Sequence, residues 1–255
     1  MSYNKIYSCG SSFSCSGGLN WPEVKLLYKN IHDIEFNNET DKSYPNLISN
    51  HYNIKIINES IAGGSANRLI RKTYQYIHNH QSEFKNSLFL LEIPPMWRDE
   101  FYSNEFDKTF NITWGVLKDV NDKTQIANGN FDLSTLNVKE FLLEYFDKFI
   151  NVDFEIKKTM NNLLGLFSYL KILNINFIII NGFEFYSFLL KNNLHTNYNF
   201  YWVNNIVEPI NISFIKNNLT ITHELENKYV DNHLGYFGNK TISDGVLKYI
   251  NKLIC

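Results

Sequence analysis

The chain has 255 residues and a net charge of −2; 44% of its residues are hydrophobic and 20% are charged. This length fits one large domain, and the apolar content excludes an intrinsically disordered chain. Because the sequence has no basic excess, it also excludes nucleic-acid binding driven by overall charge. The N-terminus lacks a signal-peptide pattern, and no apolar run approaches the ~20 residues of a membrane span. We therefore expect a soluble protein.

Short apolar runs alternate with helical patterns along the chain, which favours a parallel sheet covered by helices. Strands are predicted, in chain order, at Lys5–Cys9, 53–57, 87–93 and 175–180, with a fifth in the ambiguous stretch 196–222. Helices are predicted from Pro22, over 69–77, over 138–173 with a break near Asn151, over 183–191, and through 242–253.

Two stretches lack clear periodicity. We predict a loop at 37–50 and an inserted loop or lid at about 96–136. The order of the remaining elements predicts a single domain over 1–255, an α/β three-layer α/β/α sandwich with a doubly wound, mostly parallel sheet. In such sheets, ligands bind at the carboxyl ends of the strands.

The first candidate site follows the first strand, at Gly10-Ser-Ser-Phe-Ser14. A nucleophilic serine needs an exposed hydroxyl on a tight turn, with backbone amides free to hold an oxyanion. Ser12 fits this requirement, although an ordinary Ser/Gly turn fits the same residues. The loop is not a phosphate-binding P-loop, because no Gly-Lys-Ser/Thr follows it.

The second candidate site follows the second strand, between Asn58 and Asn67. Gly63 and Gly64 allow a close backbone approach or a positive φ angle, and their amides could donate to an oxyanion. The alternative is an ordinary loop in which Ser65 caps the following helix.

The third candidate site, Asp231-Asn-His233, precedes the last helix. A histidine base needs a carboxylate to orient its ring, and these two residues are close enough to serve together. The alternative is an exposed polar turn. Glu224 and Glu226, near His223, are interpreted as a charged turn without a further role.

Together these segments resemble the SGNH/GDSL hydrolase superfamily, in the Gly-x-Ser-Phe-Ser variant of its phage and bacterial members. Ser11 stands where that family usually has Asp. Asn58 precedes Gly63 by the spacing of the second family block, and the segment ending at His233 resembles the last block. The third block normally supplies an oxyanion-binding Asn, which is missing before Arg98.

The resemblance implies the doubly wound fold and a serine esterase mechanism. Ser12 would be the nucleophile, His233 the base and Asp231 the residue that orients it. The amides of Ser12 and Gly63 would form the oxyanion hole. No metal and no organic cofactor is implied.

Asn67 or Arg98 is expected to replace the missing Asn as an oxyanion donor or to bind substrate. Alternatively, Arg98 pairs with Asp99, Glu100 or another carboxylate. The expected partner is a small-molecule or glycan ester, most simply a short acyl (acetyl) group on a carbohydrate. Two alternatives stay open: a weak or inactive glycan-binding relative, or a polysaccharide O-acyltransferase. The expected location is cytoplasmic or virion-associated, with no nucleic-acid partner.

Overall fold

The structure is a computed structural model. It describes residues 3–11, 14–15, 17, 19, 21–36, 42–81, 83–95, 98–104, 108–113, 144–145, 148–180, 206–207, 221–228 and 233–254. The strands are β1 Lys5–Cys9, β2 Lys55–Asn58, β3 Ser87–Glu92, β4 Arg98–Ser103, β5 Lys108–Thr113, β6 Asn176–Ile180 and β7 Ile206–Val207. The helices are α1 Pro22–His32, α2 Tyr44–Tyr52, α3 Ala66–Asn79, α4 Val152–Ile172, α5 Ile221–Glu224 and α6 Tyr236–Ile254. A 3₁₀ turn, Phe84–Asn86, precedes β3.

Among the described residues, the main sheet has five strands in the order β2-β1-β3-β6-β7. Every neighbouring pair in it is parallel. The first strand lies inside the sheet, and the chain winds outward from it in both directions. This order is that of flavodoxin-like doubly wound folds, and it confirms the predicted fold class.

Helices cover both faces of this sheet. On one face, α3 and α4 pack their apolar side chains against Tyr7, Phe89 and Phe177. On the other face, α2 and α6 pack against Ile6 and Leu90. Because both faces are covered, every residue of β3 is buried, which explains why its sequence is a continuous apolar run.

The helix α2 corrects the loop predicted at 37–50. Pro45 stands in its first turn, where the missing proline N–H costs nothing. Tyr44 and Ile48 point into the core, but Asn46 and Ser49 are also buried. Those buried polar residues hide the helical pattern from a reading based on hydrophobicity.

The stretch predicted as an inserted loop or lid begins with an antiparallel hairpin, β4–β5. The predicted break near Asn151 is confirmed, because its side chain accepts a hydrogen bond from Phe154 N at 3.0 Å and caps α4. The predicted fifth strand of the main sheet is β7, which lies at Ile206–Val207 within the ambiguous stretch. The helix predicted at 183–191 lies outside the described residues. None of the described helices is both long and apolar enough to cross a membrane.

Candidate active site

The loops that follow β1 and β2 meet at the carboxyl edge of the sheet. Parallel pairing aligns Ser8 with Asn58, so both strands end at the same level. Beyond the strands, Glu59 N donates to Ser8 O at 2.8 Å, and Ile61 N to Gly10 O at 3.4 Å. The structure therefore brings the first two candidate sites side by side, as the topology predicted.

Two glycines allow this approach. A Cβ atom on Gly64 would lie 2.7 Å from the carbonyl oxygen of Gly10, a distance that a real side chain does not tolerate. Gly63 has a φ of 71°, a conformation that glycine adopts without a steric cost. The pair thus has the conformational role that the sequence predicted.

The side chain of Asn58 joins the two loops. Its Nδ2 donates to Ser14 O at 2.8 Å, and its Oδ1 accepts from Ser60 N at 3.1 Å. The second loop then ends at Ser65, whose hydroxyl accepts from Arg68 N at 3.1 Å. Ser65 therefore caps α3, as the alternative interpretation of this loop expected.

Glu92, the last residue of β3, lies fully buried beside the first loop. Its Oε2 accepts from Ser11 N at 3.2 Å and from Ser14 N at 2.9 Å. The hydroxyls of Ser11 and Ser14 also donate to this carboxyl group. A Cβ atom on Gly10 would lie 2.6 Å from Glu92 Cβ, so glycine is required where the carboxyl side chain passes.

Burial and hydrogen bonding act on Glu92 in opposite directions. Burial raises its pKa, while the hydrogen bonds from Ser11 and Ser14 lower it, and burial has the larger effect. The buried hydroxyl of Tyr44 contacts Ser14 Oγ and extends this network. Burial, followed by the charge of Glu92, raises the pKa of Tyr44.

Arg98 begins β4, and the two carboxylates that follow it are engaged by α3. Asn67 Nδ2 donates to Asp99 Oδ1 at 2.6 Å. Arg71 holds Glu100 through two bonds of 2.8 and 2.9 Å. Burial lowers the pKa of Arg98, and the charge of Glu92 opposes that shift. The charge of Glu92, a buried acid of the main sheet, therefore acts on Arg98.

The predicted catalytic residues are described only in part. Ser12 and Asp231 lie outside the described residues. His233 is half-buried and stands three residues before the start of α6. Its role as a base, and the oxyanion roles of Ser12 and Gly63, stay predictions.

Glu224 corrects the interpretation of a charged turn without a further role, because its side chain is buried and hydrogen-bonded. It accepts from Tyr28 Oη at 2.7 Å, Phe237 N at 3.0 Å and Gly238 N at 2.9 Å. The carboxylate thus caps the N-terminus of α6, where free N–H groups and the helix dipole favour a negative charge. Glu226, by contrast, is exposed.

A second connection runs from the start of α6 to the first loop. Asn239 donates to Gly235 O at 3.0 Å and accepts from Tyr44 N at 3.0 Å. The hydroxyl of the same Tyr44 contacts Ser14 Oγ. Two side chains therefore link the segment just after His233 to the loop that contains Ser12.

The sequence interpretation missed both buried acids. For Glu92 a signal was available, since a lone acid at the end of an apolar strand must find hydrogen-bond donors when it is buried. For Glu224 no local signal existed, because Tyr28 lies 196 residues away.

No protein-family model and no curated protein matches the sequence. Among solved structures, the chain is similar to the psychrotrophic esterase EstA from Pseudoalteromonas sp., described as inhibited by monoethylphosphonate. Identity is 14%, the TM-score is 0.48, and 98% of each chain is covered. It is also similar to a putative lipolytic protein of the G-D-S-L family from Desulfitobacterium hafniense DCB-2. That match has 12% identity and a TM-score of 0.41, and covers 96% of this chain and 99% of the other.

A third structure, a member of the lipolytic protein G-D-S-L family from Veillonella parvula DSM 2008, shares 10% identity at a TM-score of 0.34, with 96% of each chain covered. All three TM-scores lie below 0.5. The function proposed below therefore depends on the chain's own residues.

Proposed function

We propose that the protein is a serine ester hydrolase of the SGNH/GDSL type. Ser12 attacks the acyl carbon, and His233 takes the hydroxyl proton and later gives it to the leaving alcohol. Asp231 orients the imidazole and stabilises its charged form. Water then hydrolyses the acyl-enzyme by the same steps in reverse.

The observation that carries this proposal is the convergence of three segments at one edge. The loops after β1 and β2 touch through Gly10 and Gly64. The segment after His233 is joined to the first loop through Asn239 and Tyr44. Nucleophile, oxyanion donors and base must come from such neighbouring segments, because the reacting atoms lie ~3 Å apart.

The oxyanion hole uses the amides of Ser12 and Gly63. The positive φ of Gly63 turns the backbone at this point of the second loop, which supports its assignment. Arg98 is the third donor or a substrate clamp. Asn67 contributes less, since it already donates to Asp99.

We favour a short acyl group, such as acetyl, on a carbohydrate as the substrate. A panel of p-nitrophenyl esters from acetyl to octanoyl tests which acyl-chain length the enzyme prefers. Acetate release from acetylated oligosaccharides tests whether the alcohol part of the substrate is a carbohydrate. We expect kcat/KM to fall as the acyl chain lengthens. A rise with chain length would indicate a lipolytic enzyme instead.

Turnover of p-nitrophenyl acetate by the parent and by Ser12→Ala tests the mechanism. Removal of the nucleophile is expected to lower kcat by ~10³-fold or more. Ser87→Ala is the matched control, because Ser87 is the first residue of β3 and lies at the amino ends of the strands, away from the proposed site. Equal rates for the parent and Ser12→Ala would contradict the proposal and favour a glycan-binding role. Acyl transfer to an added sugar in preference to water would indicate an acyltransferase.

A further inference from the structure

Glu92 holds the first loop on both sides of Ser12. The carboxyl group is bonded to the backbone N–H and hydroxyl of Ser11, which precedes Ser12, and to those of Ser14, which follows Phe13. We propose that Glu92 is a positioning residue that orients Ser12 for attack on the ester. This inference rests on the proposed function.

Four donors converge on this one carboxyl group. Ser11 and Ser14 supply two donors each, and three of the four bonds end at Oε2. The Tyr44 hydroxyl also contacts Ser14 Oγ. A loop built of small residues has much conformational entropy to lose, and these bonds restrain it at two points.

The position of Glu92 makes this restraint rigid. Its backbone belongs to β3, a fully buried strand paired on both sides with β1 and β6. Its side chain reaches the loop past Gly10, where a Cβ atom would collide with it. The carboxyl group therefore fixes the residues on either side of Ser12 relative to the central sheet.

A purely structural acid would affect stability, whereas a positioning residue must also affect kcat for each folded molecule. Misplacement of a reacting group by ~1 Å costs about 10²-fold in rate. We therefore expect Glu92→Ala to lower kcat on p-nitrophenyl acetate by about 10²-fold, with KM within about threefold of the parent. Glu92→Gln should restore part of the rate, since its amide oxygen still accepts from the two backbone N–H groups.

Leu90→Ala is the matched control. Leu90 is buried two residues earlier on the same face of β3, so its truncation also leaves a cavity. We expect it to lower the thermal midpoint while kcat, corrected for the folded fraction, stays within about twofold of the parent. Equal kcat values for Glu92→Ala and Leu90→Ala would overturn the inference.

A double serine variant and amide hydrogen exchange test the same inference independently. If Glu92→Ala does not fold, the double variant Ser11→Ala/Ser14→Ala removes the hydroxyl donors only. It should lower kcat by about tenfold, and an unchanged kcat would overturn the inference. Amide hydrogen exchange at Ser11 and Ser14 should accelerate in Glu92→Ala but not in Leu90→Ala, and equal protection would overturn it.

Failure of the proposed function gives a different result. In that case the parent and Ser12→Ala turn over the ester equally, whatever residue stands at 92. The positioning role would then fall with the function, even if hydrogen exchange shows that Glu92 orders the loop. If the parent is active and only the Glu92 variants match Leu90→Ala, the function stands and the inference alone fails.

Discussion

Two buried glutamates, Glu92 and Glu224, support the proposed site in different ways. Both accept hydrogen bonds from backbone N–H groups and from hydroxyls. The partners of Glu92 lie within one loop, at Ser11 and Ser14. The partners of Glu224 belong to two separate helices, α1 and α6.

Glu92 therefore shapes one loop, whereas Glu224 holds two helices together. Glu92 extends from a rigid strand and restrains the residues beside Ser12, so its loss should lower the rate of reaction as well as the stability. Glu224 lies in the short helix α5 and joins α1 to the start of α6, which follows His233. Its loss should be seen mainly in stability.

A large effect on stability is expected from Glu224→Ala. The change leaves the buried hydroxyl of Tyr28 and the N–H groups of Phe237 and Gly238 without their acceptor. Each unsatisfied buried donor costs about 1–3 kcal/mol, so for three donors we expect the free energy of unfolding to fall by at least about 3 kcal/mol.

Denaturant unfolding measures this loss. Glu226→Ala is the control, since an exposed neighbour should change stability by no more than about 0.5 kcal/mol. A loss below about 1 kcal/mol for Glu224→Ala would mean that water replaces the cap. A Glu224→Ala variant that keeps its stability but loses kcat would reverse the comparison between the two acids.

The next effect concerns Arg98, the first residue of β4. If it donates to the oxyanion, Arg98→Ala lowers kcat and kcat/KM together by about 10²-fold. Asn67→Ala should lower kcat less, because its amide donates to Asp99.

Steady-state kinetics on a small ester distinguishes the roles of Arg98. A rise in KM alone would identify a substrate clamp. If both constants stay within about twofold of the parent, Arg98 is structural. Arg71→Ala is the control, because that residue pairs with Glu100, two positions beyond Arg98 in β4.

A smaller effect is expected where the two loops touch. In Gly64→Ala the new methyl group meets the backbone of Gly10 at 2.7 Å, and overpacking of this kind costs about 1–3 kcal/mol. Gly165→Ala in α4 is the matched control, because its Cβ would meet no atom within 4 Å. In a helix that change should stabilise the protein by about 1 kcal/mol. Equal thermal midpoints for the two variants would contradict the close contact.

The smallest expected effect is a pH dependence of stability at Glu92. Burial raises its pKa above the value in the unfolded chain, ~4.3, so the folded state holds the proton more tightly. Its contribution to stability is therefore greatest below the unfolded pKa and declines as pH rises toward the folded pKa. Glu92→Gln cannot ionise at this position and serves as the reference. The stability of the parent minus that of Glu92→Gln should be larger at pH 4.5 than at pH 8.

Thermal unfolding of both proteins at the two pH values measures this difference. A difference that grows with pH would mean that the hydrogen bonds from Ser11 and Ser14 outweigh burial. The pKa of Glu92 would then be lowered in the folded state, and the carboxylate would be the stabilising form.

Much of the fold could be predicted because the relevant signals are local. The alternation of apolar strands with helical stretches depends on residues a few positions apart, and it placed β1, β3 and β6 correctly. Helix caps are local too, so Ser65 was recognisable from its neighbours, and the break predicted near Asn151 is where that residue caps α4. Parallel winding then puts the loops after β1 and β2 at one edge without any further information.

Only the tertiary structure decided which polar groups are buried. The loop predicted at 37–50 contains α2 because the sheet buries Tyr44 and Ile48, a contact that no local pattern specifies. Glu92 meets Ser11 across 81 residues, and Glu224 meets Tyr28 across 196. A buried carboxyl group is tolerated only where donors from distant parts of the chain satisfy it. The sequence contains those donors, but their meeting place depends on how the whole sheet and its helices pack.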